Sequence, residues 1–153
     1  MSHVAAIDIL IKKDKDSLNA VRAACKELGL VFCENQQTFE WFGRWVEDYN
    51  GKDAAYQQGI KPEDYGKCVH AIKLPNCEYE IGVVNRPDGK GYTLVYDFWG
   101  PGQAIVKALG KGCEKFKQLY GVHRATIAAK ARGLVVQRTA QANGSIKLNI
   151  LGV

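Results

Sequence analysis

The sequence predicts an α+β protein in which two helices pack on one face of a mainly antiparallel sheet, forming a two-layer sandwich. Three observations predict this fold class. Segments with strand-like alternation outnumber helical segments, short turns separate most neighbouring strands, and two segments have helical spacing of apolar residues. Strands joined by short turns must be antiparallel. The predicted order is β-α-β-β-β-β-β-α-β-β, in a single domain that covers residues 1–153.

The first predicted strand covers residues 3–11, because apolar side chains alternate there and β-branched isoleucine is frequent. A helix follows, with Asp16 or Ser17 as its N-terminal cap and Gly29 at the position of a left-handed C-terminal cap. Its apolar residues follow helical spacing at Leu18, Val21, Cys25 and Leu28.

The middle of the chain is predicted to be rich in strands. Residues 30–46 resemble a hairpin that turns at Glu34–Gln37, and residues 48–66 are polar and rich in turn-forming residues. A loop of that length in a compact domain is often functional or mobile. Three more strands are predicted, at about 67–74, 79–85 and 91–99.

A long helix is predicted to begin at Pro101, because proline has no backbone N–H to lose in the first turn. Gly110, Gly112 and Gly121 make a break or kink in this helix possible. Its apolar stripe is Ile105, Leu109, Cys113, Phe116, Tyr120, His123 and Ile127. Residues 134–151 close the sequence as a hairpin with an Asn-Gly turn.

Composition points to a globular cytoplasmic protein. The chain is 46% hydrophobic and 24% charged, which is ordinary for a globular domain. No apolar run approaches the roughly 20 residues that a membrane span requires, and the N-terminal residues do not have the pattern of a signal peptide. We therefore expect five cysteines with free thiols in a reducing compartment, and no association with a membrane.

Charge is distributed unevenly along the chain. Residues 1–100 carry 12 basic and 15 acidic side chains, whereas residues 101–153 carry nine basic and one acidic. Lys107, Lys111 and Lys115 step by four residues and are predicted to line one face of the long helix. The candidate anion-binding residues are Lys107, Lys111, Lys115, Lys117, Arg124, Lys130 and Arg132. Nucleic acid or the acidic surface of a protein would suit this charge equally well.

Three residues raise the question of a metal or nucleophilic site. Cys68 and His70 lie two residues apart in a predicted strand and should share one face. His3 would join them if the two strands were neighbours. A structural zinc site needs four ligands, and no closely spaced Cys or His pair supplies the remainder. We therefore expect these side chains to pack within the sheet, and we predict no metal ion, no cofactor and no catalytic residue.

Asp97 and Trp99 complete the residues of a possible pocket. The Asp97 carboxylate either bonds backbone donors in the turn at Gly100 or anchors a pocket. No second carboxylate lies at a spacing that would form a general acid and base pair. The neighbouring aromatic residues would either cover the core, which we favour, or stack unpaired bases. They are Phe39, Trp41, Phe42, Trp45 and Phe98.

Several short motifs carry a family resemblance, namely MSH, WFGRW, KCVHAI, YEIGVV and GYTLVYDFWG. In these the sequence resembles the uncharacterised Ycf-type domain family encoded by plastid genomes, cyanobacteria and many tailed phages. The resemblance covers most of the chain. The family has no established activity, but its members are often encoded beside an AAA-type ATPase, which implies a partner rather than a reaction.

The leading functional hypothesis is a non-enzymatic accessory protein that engages an anionic partner through its basic C-terminal helix. Two alternatives remain open. One is a small enzyme or ligand-binding domain with a pocket near His3, His70 and Asp97. The other, which the resemblance alone implies, is an adaptor of an AAA-type ATPase.

Overall fold

The computed structural model of the chain describes residues 3–43, 55 and 58–152. It confirms the α+β class, because long helices cover one face of a five-stranded, fully antiparallel sheet. The sheet order is β1-β5-β4-β3-β2. Its strands are β1 (Val4–Ala6), β2 (Val31–Cys33), β3 (His70–Lys73), β4 (Ile81–Asn85) and β5 (Tyr92–Asp97).

Among the described residues, three α-helices form the second layer: α1 (Lys15–Leu28), α2 (Gln103–Leu109) and α3 (Glu114–Ala131). Helix α1 is capped by Asp14, whose side chain accepts the Ser17 backbone N–H at 2.7 Å, so the cap precedes both predicted positions. Gly29 ends α1 in the predicted left-handed conformation, with φ of 72°. Helices α1 and α3 pack against each other over the sheet, and their apolar stripes form the larger core cluster with strand residues such as Ile72 and Leu94.

A smaller core lies on the opposite face of the sheet. In the described part of the chain, three buried residues cover this face: Phe39 from irregular chain, Ala55 in helical conformation, and Tyr65 after a 3-10 turn. They form a cluster with strand residues such as Ala71 and Val95. The sheet is therefore buried on both sides, by long helices on one side and by segments with little regular structure among the described residues on the other.

The predicted hairpin over residues 30–46 is wrong. Strand β2 pairs with β3, and Thr38 forms an isolated bridge with Lys67 instead of pairing with β2. The segment after β2 passes beneath the sheet because the Phe39 ring packs on Gly82, where no side chain stands in its way. Trp45 and residues 48–54, 56 and 57 of the predicted 48–66 loop lie outside the described residues.

The long helix predicted from Pro101 is broken into two. Gly110 has φ of 83°, Gly112 has φ of 67° and Cys113 has φ of 52°, so three residues near the junction leave the right-handed helical region. The two glycines adopt such angles at little cost. As a result α2 and α3 are separate helices with different axes.

The C-terminal hairpin was predicted correctly, with strands β6 (Val135–Ala140) and β7 (Ile146–Leu151) and a turn in which Gly144 has φ of 86°. It forms a sheet of its own beside α3. Among the helices of the described residues, none combines the length and apolarity that crossing a bilayer requires.

Candidate functional site

Cys68 and His70 do not share a face, contrary to the prediction. The Val69 N–H donates to the Val83 carbonyl at 2.8 Å, while Val83 is also the register partner of His70. Two residues of one strand thus oppose one residue of the next, which is a β-bulge. The bulge reverses the alternation, so Cys68 packs in the smaller core and the His70 ring contacts Phe32 and Tyr92 on the helical face.

His3 and His70 also lie far apart. Strand β1 pairs with β5, and β3 lies between β4 and β2, so the two strands are not neighbours. The His3 ring stacks on Phe98, whereas the His70 ring contacts Tyr92 at the other end of β5. Six residues of strand separate those contacts, or about 20 Å. Over residues 3–43, 55 and 58–152, no three His, Cys, Asp or Glu side chains are grouped to hold a metal ion.

The chemistry of Cys68 and His70 is that of hydrogen-bonded packing residues. Burial raises the pKa of the Cys68 thiol to about 12, and the thiol donates to the Gln36 carbonyl at 3.1 Å. Burial lowers the pKa of His70, whose Nδ1 accepts the Asn35 N–H at 2.9 Å. At neutral pH the thiol therefore keeps its proton and the imidazole is neutral, with its hydrogen on Nε2.

Asp97 bonds backbone donors, one of its two predicted roles. The side chain is fully buried. Its Oδ1 accepts the N–H groups of His3 and Trp99, each at 3.0 Å, and its Oδ2 accepts the N–H of Phe42 at 3.2 Å. One carboxylate thus joins three segments of the chain. The pocket expected near His3, His70 and Asp97 is not built by those residues, since Asp97 faces only protein and the two histidines lie at opposite ends of the sheet.

The aromatic residues divide between core and surface. Phe39 is buried, and Trp41 is half-buried with its ring at right angles to Tyr65. Trp99 is 37% exposed, and its ring contacts the edge of Phe42. Of the predicted aromatic residues that the structure describes, some are thus core residues and others lie at the surface, and Trp45 lies outside the described residues.

Lys107, Lys111 and Lys115 do not line one helix face. The break at Gly110–Cys113 places Lys107 on α2, Lys111 in the connecting turn and Lys115 on α3. Each of the three side chains is exposed. The regular four-residue spacing therefore misled the prediction, because it holds only along an unbroken helix.

Most of the C-terminal cations are left uncompensated. Arg124 lies 4.0 Å from Asp14 and donates to Ser17, and Arg138 pairs with Glu27 at 2.6 Å. Within the described part of the chain, the other basic residues of the C-terminal third make no ion pair. They are Lys107, Lys111, Lys115, Lys117, Lys130, Arg132 and Lys147.

Two of these cations border a cleft, which we call the lysine cleft. It has a volume of about 550 Å³ and lies between β1, the outermost strand of the sheet, and the α2–α3 junction. Its walls are mainly apolar, with Tyr96, Phe98 and Val106 among them. Lys111 and Lys117 supply positive charge, and Asp8 supplies one negative charge. A largely apolar concavity with a few polar groups is the usual form of a ligand site.

Sequence reasoning missed the lysine cleft, because its walls come from β1 and from residues about a hundred positions later. The glycines on either side of Lys111 were the available signal, since they indicated a turn there rather than a helix.

Comparison of the chain with family models, with curated proteins and with solved structures finds no match, so the family resemblance stays a prediction.

Proposed function

We propose that the protein is a non-enzymatic binding protein that engages nucleic acid through the basic surface of its C-terminal third. One observation carries the proposal: seven of the nine basic residues in this third have no carboxylate partner among the described residues. Surface charge kept for solubility is normally mixed in sign, and only Glu114 is acidic here.

The arrangement of these cations favours an extended partner over a small anion. Lys111, Lys115 and Lys117 lie near the start of α3, and Lys130 and Arg132 lie at its end. Thirteen residues of helix separate Lys117 from Lys130, a rise of about 20 Å. A polyanion with regularly repeated charge can contact both groups at once, which supports nucleic acid over an isolated phosphate.

The test is a fluorescence anisotropy titration with labelled single-stranded DNA, single-stranded RNA and duplex DNA at several salt concentrations. We expect binding at low salt, and we expect the logarithm of the association constant to fall linearly with the logarithm of salt concentration. Changing Lys107, Lys111 and Lys115 to Glu together should weaken binding at least about tenfold and reduce the slope by about 2–3, since each phosphate contact contributes about 0.7–0.9.

A matched control removes the same charge from elsewhere. Lys26, Lys61 and Lys90 are also exposed and make no ion pair among the described residues, so changing these three to Glu alters net charge equally. If both triple variants bind equally weakly, the effect is one of net charge and the proposed surface is wrong. If the wild-type protein binds no nucleic acid at low salt but captures an acidic protein, an acidic protein partner replaces nucleic acid in the proposed function.

A further inference from the structure

We infer that the lysine cleft is a nucleotide site, in which an unpaired base contacts Phe98 and its phosphate contacts Lys111 and Lys117. This inference rests on the proposed function and deepens it, because it names the part of the partner that enters the protein. The shared chemistry is that of a nucleoside phosphate, whether free or within a single strand.

The size and the walls of the cleft suit a flat heterocycle. A volume of about 550 Å³ is in the range of sites that enclose small organic ligands. Phe98 is half-buried, and His3 already stacks on its ring with 5.3 Å between centroids and 18° between planes. Tyr96 meets Phe98 edge to face, with 6.3 Å between centroids. Stacking on such rings accepts any base, because each base has a π-face.

The charge at the cleft is arranged to hold one phosphate. The turn that breaks α2 from α3 brings Lys111 to the cleft, and Lys117 reaches it from the first turns of α3. Neither Lys107 nor Lys115 lines it, although both lie within four residues of Lys111. Asp8 opposes an anion, but Arg86 also interacts with that carboxylate and offsets part of its charge. Two lysines against one shared carboxylate leave net attraction for an anion.

Tyr96 adds aromatic surface to the same walls. A phenol is already neutral at pH 7, and burial raises the pKa of the Tyr96 hydroxyl further, to about 12, so this residue carries no charge that would repel a phosphate. Val106 provides half-buried apolar surface from α2. The cleft therefore offers an aromatic wall, an aliphatic wall and a cationic rim, which is the combination that a nucleoside phosphate requires and an inorganic anion does not.

The experiment titrates four probes into isotope-labelled protein while the Val106 methyl and Phe98 ring resonances are followed by NMR. The probes are a nucleoside monophosphate, the same nucleoside without phosphate, inorganic phosphate, and a single strand of about eight nucleotides. We expect the monophosphate or the single strand to shift the resonances of both residues, and inorganic phosphate to leave those resonances unchanged. A response to the monophosphate indicates a free nucleotide as ligand, and a response to the strand alone indicates a nucleotide within a strand.

Paired variants define the site. Changing Lys111 and Lys117 to Ala should weaken binding of the responding probe at least about tenfold, if each contact is worth about 1 kcal/mol or slightly less. Changing Lys107 and Lys115 to Ala removes the same charge outside the cleft and should leave the resonance shifts of Val106 and Phe98 in place. Phe98→Leu keeps apolar volume but removes the ring, and should weaken binding at least about fivefold. Asp8→Asn should tighten it.

Val106→Trp fills the cleft and should abolish the response of the Phe98 ring, which is the resonance that this variant retains. Circular dichroism and urea unfolding establish that this variant is folded, and Phe98→Leu provides the same test if it is not. If single-stranded nucleic acid binds the wild type, Val106→Trp and Phe98→Leu equally well, the nucleotide site is overturned but the proposed function stays intact. A monophosphate that binds the cleft while no strand binds overturns the proposed function alone. Equal responses to phosphate and nucleotide, or no response to any probe, also overturn the site.

Discussion

The two faces of the five-stranded sheet are buried by different means. On one face, α1 and α3 contribute fully buried apolar side chains such as Phe116 and Val21, and packing between regular elements holds the layer in place. On the other face, the described segment around Glu40 and Phe42 is irregular, and two buried carboxylates attach it to the sheet. These are Asp97, which accepts three backbone N–H groups, and Glu80, which accepts the Glu40 N–H at 2.9 Å.

The difference follows from what each kind of chain leaves unsatisfied. A helix satisfies most of its own backbone groups, so it needs only an apolar stripe to bury. Irregular chain has free backbone N–H groups that must find acceptors when they are buried. The Glu80 backbone and side chain both bond the Glu40 segment, and its carboxylate also lies 3.4 Å from Lys73. Buried carboxylates on the loop-covered face thus add hydrogen-bonded attachments to the apolar contacts of its smaller core.

The largest predicted effect is at Asp97. Replacement by Ala removes the carboxylate that accepts the backbone N–H groups of His3, Phe42 and Trp99, and should lower the free energy of unfolding by about 3–5 kcal/mol. Phe116→Ala should cost a similar amount through a cavity on the helical face. Urea denaturation followed by circular dichroism measures both.

Conservative replacements at the same two positions sharpen the contrast. Asp97→Asn places an amide donor among three donors and should still cost about 2–3 kcal/mol. Phe116→Leu keeps apolar volume and should cost about 1 kcal/mol. If Asp97→Asn were the milder of these two changes, the distinction between the faces would fail.

A second prediction concerns the contact of Phe39 with β4. A Cβ on Gly82 would lie 2.4 Å from Phe39 Cδ1, so Gly82→Ala must displace the ring and should cost about 1–3 kcal/mol. Gly121→Ala is the matched control, since α3 leaves open space at that position and Ala favours a helix interior by about 0.5–1 kcal/mol. Thermal unfolding should show opposite shifts for the two variants. Equal shifts would mean that Phe39 does not rest on the sheet as described.

The smallest effect is expected at the tether of the C-terminal hairpin. Glu27 accepts from Arg138 at 2.6 Å and contacts His123 Nε2 at 2.9 Å. The hydrogen bond from Arg138, with help from His123, lowers the pKa of Glu27 below its ordinary value of 4.5. A lowered pKa stabilises the folded state above the ordinary value, and this contribution is lost as pH falls through the folded value.

Because Glu27 is one-third exposed, its contribution should stay below about 1 kcal/mol. Hydrogen exchange of the β6 and β7 amides measures it. Protection in the wild type should fall as pH is lowered below the ordinary pKa of 4.5, once the intrinsic pH dependence of exchange is subtracted. The variant Glu27→Gln should show low protection on both sides of that value. Identical profiles for the two proteins would contradict a tether at Glu27.

The helical face was largely predictable from the sequence, and the loop-covered face was not. The helical spacing of apolar residues predicts α1, and the alternation of apolar and polar residues predicts β4 and β5, because each pattern is local. The attachment of Phe42 to Asp97 joins residues 55 positions apart and leaves no periodic trace. The bulge at Val69 also has no signal in the sequence, since neither Gly nor Pro marks it. Because of this one extra residue, Cys68 and His70 do not share the face that was expected for them.

The bond between the His3 backbone and Asp97 has a consequence for synthesis. The two residues are 94 positions apart, and in the described structure β1 has β5 as its only strand partner. At the usual pace of translation, about 5–20 s elapse between the addition of His3 and the addition of Asp97. For that interval the nascent β1 has no strand to join, so a ribosome that stalls before Asp97 carries a segment open to pairing with other chains.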